Sequence, residues 1–130
     1  MRPVNLFLTE AGALKLGYYG LATQAECYSI RKMECDGVRS FAPEVLKGEY
    51  EMKSDVWSLG IALIEMMGIA PYSSSDPDKL KHDMYKGYLS LYDVYAIKAV
   101  GLIDFLKKCF RKNRRKRWSV NGLLDVSVMG

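Results

Sequence analysis

The sequence is poor in the residues that form disulfides or bind transition metals. Its 130 residues include one histidine, His82, and three cysteines, Cys27, Cys35 and Cys109. An odd cysteine count without a Cys-x-x-Cys pair argues against both a disulfide framework and a structural zinc site. We therefore expect free thiols, as in proteins of a reducing compartment.

Long hydrophobic runs are also missing. The most apolar stretch, Val56 to Met67, is interrupted by Glu65 and is shorter than the roughly 20 residues that a membrane-spanning helix needs. The first residues show no signal-peptide pattern. Because 49% of the residues are hydrophobic, the composition excludes a disordered chain. We expect residues 1–130 to form one domain, or part of one, in the cytoplasm, with the nucleus as the alternative.

Positive charge is concentrated in one place. The net charge is +4, and six of the 19 basic residues lie between Arg111 and Arg117; without this run the remainder carries −2. A basic nucleic-acid-binding module is therefore one candidate. Only Phe110 and Trp118 flank the run, however, so aromatic side chains are poorly interleaved with the charges. We favour a solvated loop, because charge runs alone are weak evidence of function.

The apolar pattern predicts a mainly helical fold with a small β element. Residues 5–8 and 13–16 read as two strands, joined by a turn that ends at Gly12. A long loop follows to Ser40. Apolar spacing and capping residues then predict about four helices. These are a central helix capped by Ser54 or Asp55 and ending at Gly68, a second from Asp76 to Gly87, a third from Val100 to Phe110, and a fourth from Ser119 to Val126. Trp57 and Trp118 are expected in the core.

Five ordered segments of the chain resemble protein kinases. Ala42-Pro43-Glu44, with Asp55-Val56-Trp57-Ser58-Leu59-Gly60 beginning eleven residues after Glu44, resembles the Ala-Pro-Glu motif and the start of the kinase central helix. Arg2 to Leu8 resembles the end of the catalytic loop, and Lys15 to Ala22 resembles Lys-Leu-x-Asp-Phe-Gly-Leu-Ala. Arg117 to Val120 resembles the segment before the last helix. The likeness is greatest to the sterile, MAP-kinase-cascade group of Ser/Thr kinases and implies a partial C-lobe.

The resemblance assigns roles to individual residues. Asn5 matches the catalytic-loop asparagine that holds Mg²⁺, and Arg2 matches a lysine that approaches the transferred phosphoryl group. Glu44 and Arg117 match a buried ion pair. Asp55 matches an aspartate that hydrogen-bonds the catalytic-loop backbone. Candidate phosphorylation sites in the activation-type segment are Thr23, Tyr28, Ser29 and Ser40.

The sequence also departs from the kinase pattern. Tyr18 stands at the position of the Mg²⁺-binding aspartate of Asp-Phe-Gly, and a neutral phenol is a poor Mg²⁺ ligand. A Gly-rich loop and the ATP-binding lysine of the Val-Ala-Ile-Lys strand are not found, and the catalytic aspartate would precede Met1. With the helix before the catalytic loop also missing, part of the Val56–Met67 surface is expected to be bare.

These features predict a kinase-like fragment that binds protein partners and does not catalyse. The family uses ATP and Mg²⁺, but we expect no cofactor for this chain. We expect neither membrane nor nucleic acid as a partner. The alternative is a fragment of an active ATP-dependent Ser/Thr kinase, and the second alternative is the basic nucleic-acid-binding module.

Overall fold

The computed structural model describes residues 3–17 and 38–125. These ranges contain a two-stranded antiparallel hairpin followed by five α-helices, which confirms the mainly helical fold. The strands are β1 (Leu6–Leu8) and β2 (Leu14–Leu16), and the helices are α1 (Met52–Met66), α2 (Pro77–Lys86), α3 (Tyr92–Ala96), α4 (Val100–Cys109) and α5 (Val120–Leu124). Short 3₁₀ turns span Pro3–Asn5 and Val45–Lys47.

The hairpin lies where the sequence predicts it. Leu6 pairs with Leu16 and Leu8 with Leu14. The turn closes through Thr9, whose backbone N–H donates to the Ala13 carbonyl at 2.9 Å and whose side-chain oxygen accepts from the Ala13 N–H at 2.9 Å. Because both faces of these strands are largely solvent-exposed, backbone hydrogen bonds rather than packing define the hairpin.

Helix α1 is the centre of the helical region, but it begins earlier than predicted. Its N-cap is Glu51, so Ser54 and Asp55 lie inside the first turn. The Ser54 hydroxyl still serves the cap, because it accepts a hydrogen bond from the Glu51 N–H at 3.2 Å. A serine that caps backwards from the third helical position produces the same sequence signal as an N-cap serine, and this explains the shifted boundary.

The packing of α1 covers most of the Val56–Met67 surface, part of which was expected to be bare. Val56, Ile61 and Ile64 are fully buried, and the helix exposes large apolar side chains only at its two ends, Met52 in the first turn and Met66 in the last. The Trp57 ring meets Phe110 edge-on, with 5.2 Å between ring centroids. Side chains from α4 and from the loop before α1 therefore cover most of α1. The sequence had led us to expect that a further helix would be needed to cover it.

Helix α2 follows its capping signals. Asp76 Oδ1 accepts hydrogen bonds from the N–H groups of Asp78 and Lys79, at 2.9 and 3.4 Å. Pro77 occupies the first helical position, and Gly87 ends the helix in the left-handed conformation with φ of 64°. Each residue fills the position to which its backbone preference suits it.

The remaining helices agree with the sequence except at two points. Helices α4 and α5 lie within the predicted ranges, and Ser119 caps α5 by accepting from the Gly122 N–H at 3.2 Å. Helix α3 was not predicted, because five residues are too few to show a helical period. Trp118 was expected in the core but is exposed, with the Lys108 ammonium 4.4 Å from its ring centroid. No helix among the described residues is both long and apolar enough to cross a bilayer.

Candidate functional site

The hairpin and the turn before it carry Asn5, which the resemblance matches to the catalytic-loop asparagine. Asn5 ends the first 3₁₀ turn, and its backbone carbonyl accepts a hydrogen bond from the Gly17 N–H at 2.8 Å. This bond joins Asn5 to the residue that immediately precedes Tyr18 in the chain. Arg2 and Tyr18 lie outside the described residues, so their roles stay predictions from the resemblance.

The donor atoms at this position do not fit a kinase magnesium site. Asn5 can offer one amide oxygen, and the sequence offers a phenol at Tyr18 where the resemblance requires a carboxylate. Mg²⁺ in phosphoryl-transfer sites is held by carboxylates together with substrate phosphates. Among residues 3–17 and 38–125, no three His, Cys, Asp or Glu side chains form a group able to hold a metal ion.

A second group of residues forms a buried ion pair. The Arg117 guanidinium binds the Glu44 carboxylate with both terminal nitrogens: Nη1 contacts Oε1, and Nη2 lies 3.0 Å from Oε2. Ser54 Oγ donates to the same Oε1 at 2.9 Å. Arg117 is only 1% exposed. Bidentate, charge-assisted bonds of this kind are among the strongest in proteins and fix the orientation of both partners.

Arg117 also connects distant parts of the chain. Its Nε donates to the Arg111 carbonyl at 3.0 Å, and its Nη1 donates to the Lys53 carbonyl at 3.1 Å. The guanidinium carbon lies 5.2 Å from the Trp57 ring centroid. One side chain thus ties the loop before α5 to the first turn of α1 and to the segment that carries Glu44. All of these contacts are to groups of the chain itself, as is typical of a side chain that holds segments of a fold together.

The ionisation of Glu44 reflects this environment. Burial alone would raise the pKa of the Glu44 carboxyl. Hydrogen bonds from Arg117, from the backbone and from Ser54, with the charge of Arg117, together hold that pKa below its ordinary value of 4.5. The carboxylate is therefore charged at neutral pH despite its burial.

Asp55 and Ser40 are the two remaining predicted site residues that the structure describes. Asp55 is exposed, and its Oδ2 accepts a hydrogen bond from the Tyr50 hydroxyl at 2.5 Å. Ser40 is buried, and its carbonyl accepts from Ser58 Oγ at 2.7 Å. A buried hydroxyl is inaccessible to a modifying enzyme, which argues against phosphorylation of Ser40 in this conformation. Thr23, Tyr28 and Ser29 lie outside the described residues.

Cys109 is a free thiol without catalytic character. It is the last residue of α4 and is fully buried in a cluster with Val56 of α1. Burial raises the pKa of this thiol to about 12, although the nearby charge of Arg117 acts in the opposite direction. Because the thiolate is the nucleophile, Cys109 is unreactive at neutral pH and serves as a core side chain.

A groove that the sequence did not predict lies beside the ion pair. The groove, called the basic groove below, has a volume of about 270 Å³ and is lined mainly by Pro43, Lys47, Glu49, Lys112, Asn113 and Arg114. The run from Arg111 to Arg117 was the available signal, but its partners Lys47 and Glu49 lie far away in the chain. Only the fold brings the two segments together.

Sequence comparison identifies relatives across almost the whole chain. The model of the protein kinase domain family matches residues 1–129. The serine/threonine-protein kinase Nek9 of Xenopus laevis is 26% identical over 132 residues, covering 99% of this chain and 14% of the relative. The human dual specificity mitogen-activated protein kinase kinase 7 is 27% identical over 99% of this chain and 33% of its own length.

Structural comparison gives the same fold. The Rad53 kinase domain, solved in complex with AMPPNP, superposes with a TM-score of 0.75 at 20% identity and covers 98% of this chain. That match includes 48% of the Rad53 chain. The chain thus spans about half of the solved kinase chain and a third or less of the two curated relatives above.

Proposed function

Because this chain belongs to the protein kinase domain family, we propose that it is a kinase-like module that binds protein partners and does not transfer phosphoryl groups. The single observation that carries the proposal is the residue at the metal position. The hairpin brings Asn5 to Gly17 through a 2.8 Å hydrogen bond, and the next residue in the chain is Tyr18 rather than an aspartate.

The chemistry of phosphoryl transfer makes this replacement serious. Catalysis in kinases depends on positioning and on metal ions that neutralise the charge of the transferred group. A tyrosine hydroxyl with an ordinary pKa of about 10 stays protonated at pH 7 and offers no anionic oxygen. The proposal therefore includes no requirement of this chain for ATP or Mg²⁺, and it assigns the protein to the cytoplasm.

The structural framework supports a retained binding role. The Glu44–Arg117 pair keeps bidentate geometry and a third hydrogen bond from Ser54. Buried ion pairs are costly unless all partners are satisfied. A chain that keeps this pair while losing a metal ligand fits a folded module that has lost its chemistry.

The competing function is an active ATP-dependent Ser/Thr kinase. The curated relatives are named as protein kinases, and the resemblance alone fits this alternative equally well. Tyr18 separates the two, because an active enzyme would need another group to supply the second magnesium ligand.

The test uses the longest cellular form of the protein, identified with an antibody against the exposed helix α2. Mg²⁺-dependent binding of a fluorescent ATP analogue and phosphate transfer to a generic substrate protein are measured for wild type, Tyr18→Asp and Tyr18→Phe. We expect neither activity in the wild type. Tyr18→Phe is the matched control, since it removes the hydroxyl without supplying a carboxylate.

The outcomes separate the two functions. Mg²⁺-dependent nucleotide affinity that appears in Tyr18→Asp but not in Tyr18→Phe would identify Tyr18 as the cause of the defect. No gain in either variant would place the defect elsewhere in the site. Phosphate transfer by the wild type, abolished by Asn5→Ala, would establish the active kinase instead.

A further inference from the structure

We propose that the basic groove binds an acidic peptide segment of a partner protein, with Lys47, Lys112 and Arg114 receiving its carboxylates. The inference rests on the proposed function in one respect, since it names the partner class of a protein-binding module. The groove lies beside the Glu44–Arg117 pair and includes no residue of the hairpin.

The charge balance of the groove favours an anion. Lys47, Lys112 and Arg114 contribute three positive charges from two separate segments. Of the two carboxylates that line the groove, Glu44 is already neutralised by Arg117. Glu49 alone remains to oppose the three cations, so the groove carries an excess of positive charge that a partner with several carboxylates would balance.

The ion pair between Glu49 and Arg114 shows how the groove binds a carboxylate. Its Oε2 lies 2.7 Å from Arg114 Nη1, and the two side chains are 58% and 40% exposed. Exposed ion pairs contribute little stability, because water screens them and two long side chains must be ordered. A carboxylate from a partner can therefore replace Glu49 on Arg114 at small cost. In the free protein Glu49 occupies the position that the ligand would take.

The backbone that carries these cations is held in place before binding. Asn113 Oδ1 accepts from the Arg115 N–H at 3.0 Å, and the Asn113 carbonyl accepts from the Lys116 N–H at 3.0 Å. Lys53 Nζ donates to the Arg115 carbonyl at 3.2 Å. Together with the buried Arg117, these bonds order the loop, and a pre-ordered site loses less entropy on binding.

The surroundings favour a peptide over a nucleic acid. Single-stranded nucleic acids bind proteins by stacking their bases on open aromatic faces. Here the Lys112 ammonium lies over the Tyr88 ring at 4.0 Å, and the Lys108 ammonium lies over Trp118 at 4.4 Å. A base would have to displace these lysines to stack.

The experiment measures fluorescence anisotropy of a labelled eight-residue peptide of alternating glutamate and serine, without nucleotide or Mg²⁺. The control peptide carries glutamine in place of glutamate. Arg114→Gln is compared with Arg115→Gln, which removes the same charge from the neighbouring residue outside the groove. The third variant, Glu49→Gln, removes the internal competitor. Circular dichroism verifies that each variant is folded, and Lys47→Gln replaces Arg114→Gln should the latter not fold.

We expect saturable binding of the glutamate peptide only. Arg114→Gln should weaken it about fivefold and Arg115→Gln less than about twofold, since only the first loses a direct charge-assisted bond. Glu49→Gln should tighten binding about twofold to threefold, because the competing ion pair is lost.

Three results would overturn the proposal. The first is no binding of the glutamate peptide up to about 1 mM, because a still lower affinity would be too weak for specific recognition. The second is equal weakening by Arg114→Gln and Arg115→Gln, which would indicate unspecific attraction to the whole basic run. The third is tighter, salt-sensitive binding of a twelve-residue oligothymidylate that displaces the peptide, which would mark a nucleic-acid surface. Phosphate transfer by the wild type would remove the proposed function and leave this result untouched.

Discussion

The hairpin and the region around the Glu44–Arg117 pair use their residues in opposite ways. In the hairpin, apolar side chains such as Phe7, Leu8 and Leu14 are exposed to solvent. Around the ion pair, the charged Arg117 is buried and donates hydrogen bonds to two backbone carbonyls and to the Glu44 carboxylate. Residue type alone therefore does not decide what is buried in this chain, because the available neighbours decide it.

This difference indicates which of the two regions contributes more to the stability of the described chain. Helix α1 gathers apolar contacts from the loop that precedes it and from α4. The hairpin has its backbone hydrogen bonds and the contact of the Pro3–Asn5 turn with α1. An isolated two-stranded hairpin is marginal in water. We therefore expect substitutions to have large effects in the helical region and small effects in the hairpin.

The largest effect should come from breaking the ion pair on one side. Arg117→Ala leaves the Glu44 carboxylate buried without its partner, which typically costs about 3–5 kcal/mol. Urea unfolding of the 130-residue chain, followed by circular dichroism, measures this loss. The variant Arg114→Ala is the control, because its partner Glu49 is exposed, and it should change stability by less than about 1 kcal/mol.

A double variant sharpens this test. Replacing both partners, as in Glu44→Leu with Arg117→Met, removes the unpaired charge, so its loss should be smaller than that of Arg117→Ala alone. A double variant that loses as much as Glu44→Leu and Arg117→Met added together would mean that the two side chains do not stabilise each other, because additive losses show no coupling between two residues.

The second effect tests the apolar part of the same region. Leu106 is 2% exposed and packs with Ile64 and Val94. Leu106→Ala should cost about 2–5 kcal/mol, since it removes buried methyl groups and leaves a cavity. Urea unfolding again provides the measurement. A loss below about 1 kcal/mol would show that the surrounding side chains close the cavity, and the helical region would then be less tightly packed than its burial implies.

Much of the fold followed from local signals in the sequence. The hairpin turn from Thr9 to Gly12 was predicted from its residue types. The ends of α2 were predicted from the capping residues Asp76 and Gly87, whose backbone preferences suit those positions. The start of α1 was misplaced because Ser54 bonds both to its own helix end and to Glu44. In the sequence, a serine that caps from inside the first turn looks the same as a serine at the N-cap.

The site was less predictable, for a physical reason. Glu44 and Arg117 were paired only through the resemblance to kinases, since 73 residues separate them. The basic groove was missed because charge periodicity does not indicate which loops the fold brings together. Trp118 was expected in the core, but its side chain is exposed and the Lys108 ammonium lies over its ring.

A further effect concerns pH. The folded-state pKa of Glu44 lies below its ordinary value of 4.5. The corresponding stability is therefore fully present above pH 4.5 and is lost as the pH falls through the lower, folded-state pKa. Wild-type stability should fall in this acidic range, whereas Glu44→Gln should be less stable at neutral pH and show a weaker dependence. Parallel curves for the two proteins would assign the acid sensitivity to other carboxylates.

The smallest effect is expected from the hairpin. Leu8 is 73% exposed, so Leu8→Ala removes few contacts and should change the free energy of unfolding by no more than about 0.5 kcal/mol. It is the matched counterpart of Leu106→Ala, because the same atoms are deleted in the two regions. Urea unfolding and hydrogen exchange of the hairpin amides measure the global and the local effect. Equal losses in the two leucine variants would mean that the hairpin is packed in solution, and the contrast between the two regions would fail.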